Sequence, residues 1–276
     1  MANMGAQVAT QVDGTKLDDL SAWGKAWKIS FEPTRFQALN IDHHRPRRQL
    51  PAISFDGAPV VEEAELKLLG VQFDTQLSFY QHLRSEAVRA RQRLHFLNRA
   101  APILDVRGRE RVYKGLVRPV MDYCPLVWMG AATTTLRQLD SVQLRALKII
   151  SRGSWLPSLA LRHAVAAHKY LYKLQCLPTS SPLRAMIPAV APELQGHPRT
   201  NQQSRICHEL QFAMPRNRHS RSSAQRSFPS AIVEDWNRLP PELITAPLTL
   251  HRLQQFKEGV HKYLQSADWH WASTHL

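Results

Sequence analysis

Cysteine is scarce in this sequence: 276 residues contain three, at positions Cys124, Cys176 and Cys207. Because they are odd in number and far apart, we expect buried, reduced thiols and not a disulfide framework. Long apolar runs are also lacking. No segment approaches the ~18 residues that a membrane-spanning helix requires, and residues 1–14 contain no signal-type apolar stretch. We therefore expect an intracellular protein without membrane contact, in the nucleus or the cytoplasm.

Acidic residues are few relative to basic ones, 22 against 36, which gives a formal net charge of +14 and a pI near 10.2. A polyanionic partner is the simplest reason for this imbalance. The segment from Arg84 to Arg118 contains ten basic and three acidic residues. The segment from Arg199 to Arg226 contains six basic residues and one acidic residue, Glu209. The first stretch has an apolar period and is predicted to be helical. The second has none and is predicted to be an exposed loop.

Familiar catalytic motifs are missing: there is no P-loop, no G-x-S-x-G elbow and no H-E-x-x-H. The acidic pair Asp18-Asp19 lies inside an amphipathic helical pattern, which indicates a solvated helix face and not a catalytic turn. Two histidines, His43 and His44, precede arginines and favour a basic turn over a ligand set.

Two further clusters leave alternatives open. Cys207-His208, with His197 and His219 nearby, permits a zinc site, but the C-x-x-C spacing that closes a tetrahedral site is absent. The terminal Trp269-His270-Trp271 either docks on the protein itself, which we favour, or stacks on nucleic-acid bases.

Three amphipathic helices are predicted in the middle of the chain. Each has an apolar stripe at steps of three and four residues and a basic opposite side. The stripes are Phe79, Leu83, Ala87, Ala90, Leu94, Leu97 and Ala101; then Val112, Tyr113, Leu116, Val117 and Val120; then Leu136, Leu139, Val142, Ala146, Leu147 and Ile150. Asp105 is placed to cap the second helix and Pro119 to kink or end it. Short loops between the three predict a small bundle.

A different pattern precedes these helices and predicts a small α+β part. It consists of one helix and short strands, with a primed turn at Asp56-Gly57. The segments are a helix at Leu17–Trp27, strands at Lys28–Phe31 and Arg35–Ile41, a hairpin over Ile53–Val61, and a strand at Leu66–Phe73.

The chain after Trp155 is predicted to be helical again. A long helix spans Leu159–Leu177, and a proline-rich connection, Pro178–Pro198, follows it. Two shorter helices close the chain. Their apolar residues are Ile232, Val233 and Trp236 on the first, and Leu253, Phe256, Val260 and Leu264 on the second. The sequence thus predicts a mainly α fold with a small α+β remnant at its N-terminal side.

Several of these pieces occur together, in order, in one family. They are Leu20-x-x-Trp23-x-x-x-Trp27 with Phe31-x-Pro33; Leu66-Lys67-Leu68-Leu69-Gly70-Val71 with Phe73-Asp74; Leu77-Ser78-Phe79-x-x-His82; Tyr113-Lys114-x-Leu116-Val117-Arg118-Pro119-Val120-x-x-Tyr123; and Trp236-Asn237-x-Leu239-Pro240. This succession resembles the end of the palm, the thumb and the C-terminal extension of reverse transcriptases from non-LTR, jockey-like retrotransposons.

The resemblance implies a division of the chain. By this resemblance, the chain consists of an incomplete reverse transcriptase palm, a three-helix thumb bundle and a helical C-terminal extension. The implied segments are an unassigned tail at 1–16, a palm remnant with motif D and a motif E-like primer grip at 17–76, a helical thumb at 77–152, a helix and proline-rich connection at 153–198, a basic loop at 199–228 and a C-terminal helical unit at 229–276.

The resemblance also implies functional residues. An RNA–DNA hybrid, or a duplex of RNA or DNA, is the implied partner, together with the upstream part of the polymerase. The candidate binding residues are Leu69, Gly70 and Val71 in the grip and Arg84, Arg89, Arg91, Arg93, Lys114, Arg118, Arg145 and Lys148 in the thumb. We expect no catalytic residue, metal or cofactor in this chain, because the carboxylates that hold Mg²⁺ in a full-length parent lie upstream of motif D.

Three interpretations remain open at this point. The chain is a truncated reverse transcriptase that binds primer-template without extending it, or a domesticated, non-enzymatic protein that binds RNA or DNA. The third interpretation is a decayed reading frame without a selected function.

Overall fold

A computed structural model describes residues 14–41, 52–151, 156–185, 210, 212, 228–244 and 248–266. The chain is mainly helical with a few short strands, as the sequence predicts. It divides into two compact units, Met1–His82 and Leu83–Leu276. Among the described residues, no helix has both the length and the apolarity needed to cross a membrane.

In the first unit, residues 14–41 and 52–82 form one α-helix and six short strands. These are α1 at Gly14–Ala26, β1 at Gln37–Leu39, β2 at Ser54–Phe55, β3 at Ala58–Pro59, β4 at Val61–Glu63, β5 at Glu65–Leu68 and β6 at Val71–Asp74. The described strands form three two-stranded sheets: β1 pairs with β4 in parallel, and β2 with β3 and β5 with β6 in antiparallel register. Asp18 and Asp19 are exposed on α1, as expected of a solvated helix face.

The predicted hairpin turn at Asp56-Gly57 is confirmed. Both residues have positive φ angles, 48° and 78°, as a type I′ turn between two strands requires. The carboxylate of Asp56 also accepts a hydrogen bond from Ser21 Oγ at 2.6 Å, which ties the turn to α1.

Two strand predictions are wrong. Residues Leu66–Phe73 do not form one strand, because a turn with positive φ at Leu69 (47°) and Gly70 (87°) folds them into the β5–β6 hairpin. Lys28–Phe31 is not a strand either. Its first residue, Lys28, has a φ of 56°, which reverses the chain after α1, and the ring of Phe31 lies near that of Trp23 on the helix.

Aromatic rings form the small core of this unit. Phe55 is buried and stacks on Phe36 at a centroid distance of 4.1 Å, while Phe31 meets Phe55 edge-on at 5.9 Å. Trp23 lies 6.4 Å from Phe31, and Trp27 lies 6.4 Å from Trp23. Both tryptophans remain largely exposed, so the ring cluster ends at the surface.

The second unit is built from helices. They are α2 at Tyr80–Ala100, whose first turn belongs to the first unit, α3 at Val106–Val112, α4 at Arg118–Met121, α5 at Pro125–Trp128, α6 at Thr133–Ile150, α7 at Leu159–Gln175, α8 at Pro182–Ala185, α9 at Phe228–Asn237 and α10 at Leu253–Ser266. The three helices predicted for the middle of the chain correspond to α2, to α3 with α4, and to α6. Their predicted apolar stripes contain most of the buried residues.

Side chains from these three helices bond to one another's backbone or side chains. Arg93 of α2 donates to the carbonyl of Leu116 at 2.9 Å. Arg109 of α3 donates to the carbonyl of Ala101 at 2.9 Å. The buried Tyr113 hydroxyl donates to Gln143 Oε1 of α6 at 3.4 Å. The second helix therefore contacts both of the others.

The capping and proline predictions for the second helix are confirmed. Asp105 precedes α3, and its side chain accepts from the Gly108 amide at 2.7 Å. Residues Tyr113–Val117 widen into a π-helical turn before α4. Pro119 has no amide hydrogen to donate to the carbonyl four residues earlier, which accounts for this widening and for the helix end at Met121.

A continuous hydrophobic core joins α7, α9 and α10. Trp236 is fully buried, and its ring lies 5.8 Å from that of Phe212 and 5.9 Å from that of Phe256. Tyr172 of α7 packs on Phe256 at 4.5 Å. Trp128, on α5, is also buried. The prediction that Trp128 and Trp236 are core residues is therefore confirmed.

The prediction that the cysteines are buried is wrong for Cys124. This residue is exposed, with a positive φ of 46° directly before α5, and Cys176 is half-buried. Both thiols are free. Cys207 lies outside the described residues, as do the other members of the possible zinc cluster, the His43-His44 pair, the terminal tryptophans and nearly all of the basic loop.

Candidate nucleic-acid interface

The four candidate arginines of α2 fall into two pairs. Arg84 and Arg91 are seven residues apart, which is about two helix turns, so both project from the same side roughly 10 Å apart along the axis. Both are exposed, and within the part of the chain that the structure describes, neither side chain makes an ion pair or hydrogen bond. This side of α2 offers two free guanidinium groups to an anion.

The other pair is engaged within the protein. Arg89 pairs with the buried carboxylate of Glu86 at 2.6 Å. Arg93 is half-buried and donates to the Leu116 carbonyl in the π-helical turn. Arg93 would have to break this hydrogen bond to contact a ligand, so we assign Arg93 a structural role.

The second helix presents mainly paired cations. Lys114 forms an ion pair with Glu110 one turn earlier, and both remain partly exposed. Arg118 Nε lies 2.8 Å from Asp122 Oδ2. Lys114 can exchange its exposed partner for a phosphate at little cost. Arg118 belongs to a larger polar cluster and is less available.

The third helix again offers free cations. Arg145 and Lys148 are exposed on α6 and make no ion pair or hydrogen bond with any residue that the structure describes. Arg137 is exposed on the same side, and Leu144 lies between these cations in sequence and is also exposed. The only acidic residue of this helix, Asp140, is partly buried.

Charge on the helical stretches 80–100, 106–121 and 133–150 is one-sided. They carry thirteen Lys or Arg residues and only Glu86, Glu110 and Asp140 as acids. Glu86 is buried and paired, and Glu110 is paired. Little negative charge is thus left on these stretches to neutralise the exposed arginines, so their potential is strongly positive.

Sequence reasoning missed a polar cluster around Asp122. Its carboxylate accepts from Arg118, from Arg162 Nε at 3.2 Å and Nη2 at 3.1 Å, and lies 3.2 Å from His163 Nε2. Arg162 also donates to Gln143 Oε1 at 3.0 Å and to a backbone carbonyl at 2.7 Å. The cluster thereby joins α4, α6 and α7.

Burial alone would raise the pKa of Asp122, but the hydrogen bond with His163 and the charge of Arg162 hold that pKa well below its ordinary value. The Arg162 side chain is only 8% exposed, so Asp122 neutralises a nearly buried cation. The sequence could not predict this cluster, because Asp122 and Arg162 are 40 residues apart. Arg118 therefore helps to hold three helices together.

The candidate grip residues lie in the β5–β6 hairpin of the first unit. Leu69 and Gly70 form the exposed turn, and Val71 is buried. A buried Val71 supports the hairpin and offers only its backbone to a ligand. Gly70 adopts its φ of 87° without strain, whereas Leu69 adopts a left-handed conformation that is unfavourable for a branched side chain.

The described residues contain no group of three or more His, Cys, Asp or Glu side chains that could hold a metal ion. The helical faces instead offer guanidinium and ammonium groups at spaced positions. Such an arrangement can neutralise a row of phosphates.

Comparison with known proteins gives similarities to retrotransposon polymerases. The chain is 25% identical over 205 residues to the RNA-directed DNA polymerase from mobile element jockey of Drosophila funebris, an alignment that covers 69% of this chain and 22% of that protein. The chain is similar to jockey-type RNA-directed DNA polymerases. This confirms the resemblance drawn from its motifs.

Two further relatives come from Drosophila melanogaster. A probable RNA-directed DNA polymerase from transposon BS is 26% identical over 139 residues, and one from transposon X-element is 22% identical over 138 residues. Each alignment covers 49% of this chain and 15% of the relative. The chain thus spans about a fifth or less of the length of the curated relatives it matches. No protein-family model and no solved structure matches it.

Proposed function

We propose that this chain is a reverse-transcriptase-related segment that binds primer-template-like duplexes, above all RNA–DNA hybrid, through its basic helices and does not extend the primer. It corresponds to the end of a palm followed by a thumb and a C-terminal extension. The observation that carries the proposal is the set of free, exposed cations on α2 and α6: Arg84, Arg91, Arg145 and Lys148.

Phosphate neutralisation is the physical basis of this binding. Most of the affinity of a protein for duplexes comes from cations that displace counterions from phosphates, and rigid helices keep those cations in register with a phosphate row. The similarity to RNA-directed DNA polymerases supports a duplex as the polyanion. The position of Asp18 and Asp19 on helix α1 supports the other part of the proposal, that the primer is not extended, because the two-metal site of a polymerase is formed by carboxylates on adjacent strands.

The decisive experiment compares two double variants that remove the same charge. Arg84→Ser with Arg91→Ser removes two free cations of α2, and Lys257→Ser with Lys262→Ser removes two exposed cations of α10. We expect the first to weaken RNA–DNA hybrid binding about tenfold and to reduce the slope of log affinity against log salt by about 2. The second should leave both values nearly unchanged.

Equal effects of the two double variants would contradict a defined interface, and no effect of either would contradict the role of α2. The same preparation, given a primed template, nucleotides and Mg²⁺, should show no primer extension. Measurable extension would contradict the proposal that this chain binds without catalysis.

A further inference from the structure

Arg162, on α7, is a charged residue whose side chain lies almost entirely inside the protein. That side chain is only 8% exposed, so its charge is not offered to a ligand. Its Nε and Nη2 donate to the two carboxylate oxygens of Asp122, which follows α4, at 3.2 and 3.1 Å. Its Nη1 donates to Oε1 of the buried Gln143, on α6, at 3.0 Å. One guanidinium group therefore bonds to two other helical segments at once.

The hydrogen bonds around this guanidinium group fix its orientation. Nη1 of Arg162 also donates to the carbonyl of Pro157 at 2.7 Å, and the Gln143 amide donates to the same carbonyl at 3.0 Å. His163, the next residue of α7, has its Nε2 3.2 Å from the Asp122 carboxylate. A guanidinium presents its donors in a rigid, planar fork, so its partners are held in one arrangement. A lysine, with one rotatable ammonium group, cannot reproduce that arrangement.

The two segments that this guanidinium joins also contain candidate phosphate-binding cations. Lys148 lies five residues after Gln143 on α6 and is exposed, without an ion pair or hydrogen bond to any residue in the described part of the chain. On the other segment, the hydroxyl of the fully buried Tyr113 donates to Gln143 Oε1 at 3.4 Å, and Tyr113 directly precedes Lys114. The distance between Lys114 and Lys148 therefore depends on the bonds that Gln143 makes to Tyr113 and to the guanidinium of α7.

We propose that Arg162 is a positioning residue for nucleic-acid binding. It holds Lys114 at a fixed distance from Arg145 and Lys148, so that all three cations reach phosphates of one duplex, and it does not itself touch the ligand. This inference rests on the proposed function and deepens it, because it makes α7, which lies outside the thumb predicted at 77–152, part of the binding unit. Cations that are already held in place bind without the entropic cost of ordering them, and each phosphate contact adds to the salt dependence.

The test replaces the guanidinium fork but keeps its charge. Arg162→Lys leaves the net charge unchanged and keeps a cation beside Asp122, but a lysine cannot bond to Asp122 and Gln143 together. We expect it to weaken binding of an RNA–DNA hybrid about fivefold and to reduce the slope of log affinity against log salt by about 1, because fewer cations reach phosphates together. Far-UV circular dichroism and urea unfolding check that the variant is folded under the binding conditions. A variant that was only less stable would lose affinity through its folded fraction and would keep the slope.

A second measurement uses double-mutant cycles. Lys148→Ser should weaken hybrid binding about fourfold in the unmodified chain and less than about twofold in Arg162→Lys, where Lys148 is no longer held in position. Arg84→Ser is the matched control, because Arg84 is exposed on α2 and takes no part in the Arg162 network. It should weaken binding by the same factor in both backgrounds. If Arg162→Lys does not fold, the same cycles are run with Gln143→Leu, which keeps the pair of Arg162 with Asp122 and removes the acceptor on α6.

Three results would overturn the inference. An unchanged salt slope in the folded variant, or an equal effect of Lys148→Ser in both backgrounds, would limit Arg162 to a structural role. A smaller effect of Arg84→Ser in the variant than in the unmodified chain would show a general disturbance of the fold, and not the loss of a fixed position for the α6 cations. If the unmodified chain binds no hybrid at any salt concentration, the proposed function itself fails, which is distinct from a failure of Arg162 alone.

Discussion

The two units of this chain bury apolar surface in different ways. The first, Met1–His82, has two-stranded sheets and a small ring cluster that ends in exposed Trp23 and Trp27. The second, Leu83–Leu276, has helices packed on a continuous core that includes Trp236. Two-stranded sheets are marginal by themselves, whereas amphipathic helices with a shared core are self-sufficient.

The two units also differ in charge. Residues 14–41 and 52–82 of the first unit carry five Lys or Arg and eight Asp or Glu, whereas the helical stretches of the second are strongly basic. The excess positive charge of the described residues is therefore on rigid helices. We infer that stability and polyanion attraction both reside mainly in the second unit, and three substitution experiments test this comparison.

Substitutions of two tryptophans should differ most in their effect on the free energy of unfolding. Trp236→Ala removes a fully buried ring from the core and should lower the free energy of unfolding by about 4 to 5 kcal/mol. Trp27→Ala removes a ring that is 69% exposed and should change it by no more than about 0.5 kcal/mol. Urea unfolding followed by circular dichroism measures both, and losses of similar size would show that the first unit is as tightly packed as the second.

Breaking two different ion pairs of the second unit should also change the free energy of unfolding by different amounts, with a smaller difference between them. Asp122→Ala leaves the nearly buried Arg162 without its counter-ion and should cost about 3 to 4 kcal/mol of unfolding free energy. Glu110→Ala changes the net charge by the same amount but breaks the exposed pair with Lys114, which should cost no more than about 0.5 kcal/mol. The same unfolding assay separates the two, and equal costs would refute a structural role for the Asp122 cluster.

A buried histidine should make the second unit sensitive to acid. His168 is fully buried beside Trp236, and burial lowers its pKa to about 4 although the Ala164 carbonyl at 2.8 Å acts in the opposite direction. The unfolded chain binds this proton at a pKa near 6.5. The stability contributed by neutral His168 is therefore present at neutral pH and is lost between pH 6.5 and about 4, by about 3 kcal/mol.

The acid sensitivity is tested by unfolding at a series of pH values. His168→Gln should flatten the decline between pH 6.5 and 4, whereas His251→Gln, at an exposed position, should not. The Asp122 contribution does not interfere, because a carboxylate with a lowered pKa loses its stabilising effect only as the pH falls below about 4. A decline that is as steep in His168→Gln as in the unmodified chain would refute the assignment.

Local chemistry explains which parts of the fold were predictable. The Asp105 cap, the Asp56-Gly57 turn and the helical apolar stripes depend on residues within a few positions of one another, so the sequence contains the whole signal. The β5–β6 turn was missed because its first residue is Leu69, which disfavours a positive φ. In that case pairing of the two strands overrides the local preference.

The candidate site was predictable in outline only. The sequence identifies which arginines lie off the apolar stripe of α2, but it does not reveal that Arg93 bonds to Leu116, 23 residues away. It also does not reveal that Arg118 shares Asp122 with Arg162. Such pairings depend on how helices pack, and only the folded structure separates free cations from engaged ones.

A salt titration of the unmodified chain on an RNA–DNA hybrid tests the central claim most directly. If Arg84, Arg91, Arg145 and Lys148 contact phosphates, log affinity should fall linearly with log salt concentration with a slope of roughly −3 to −4. A slope near zero, or no binding at low salt, would contradict an interface built on phosphate neutralisation.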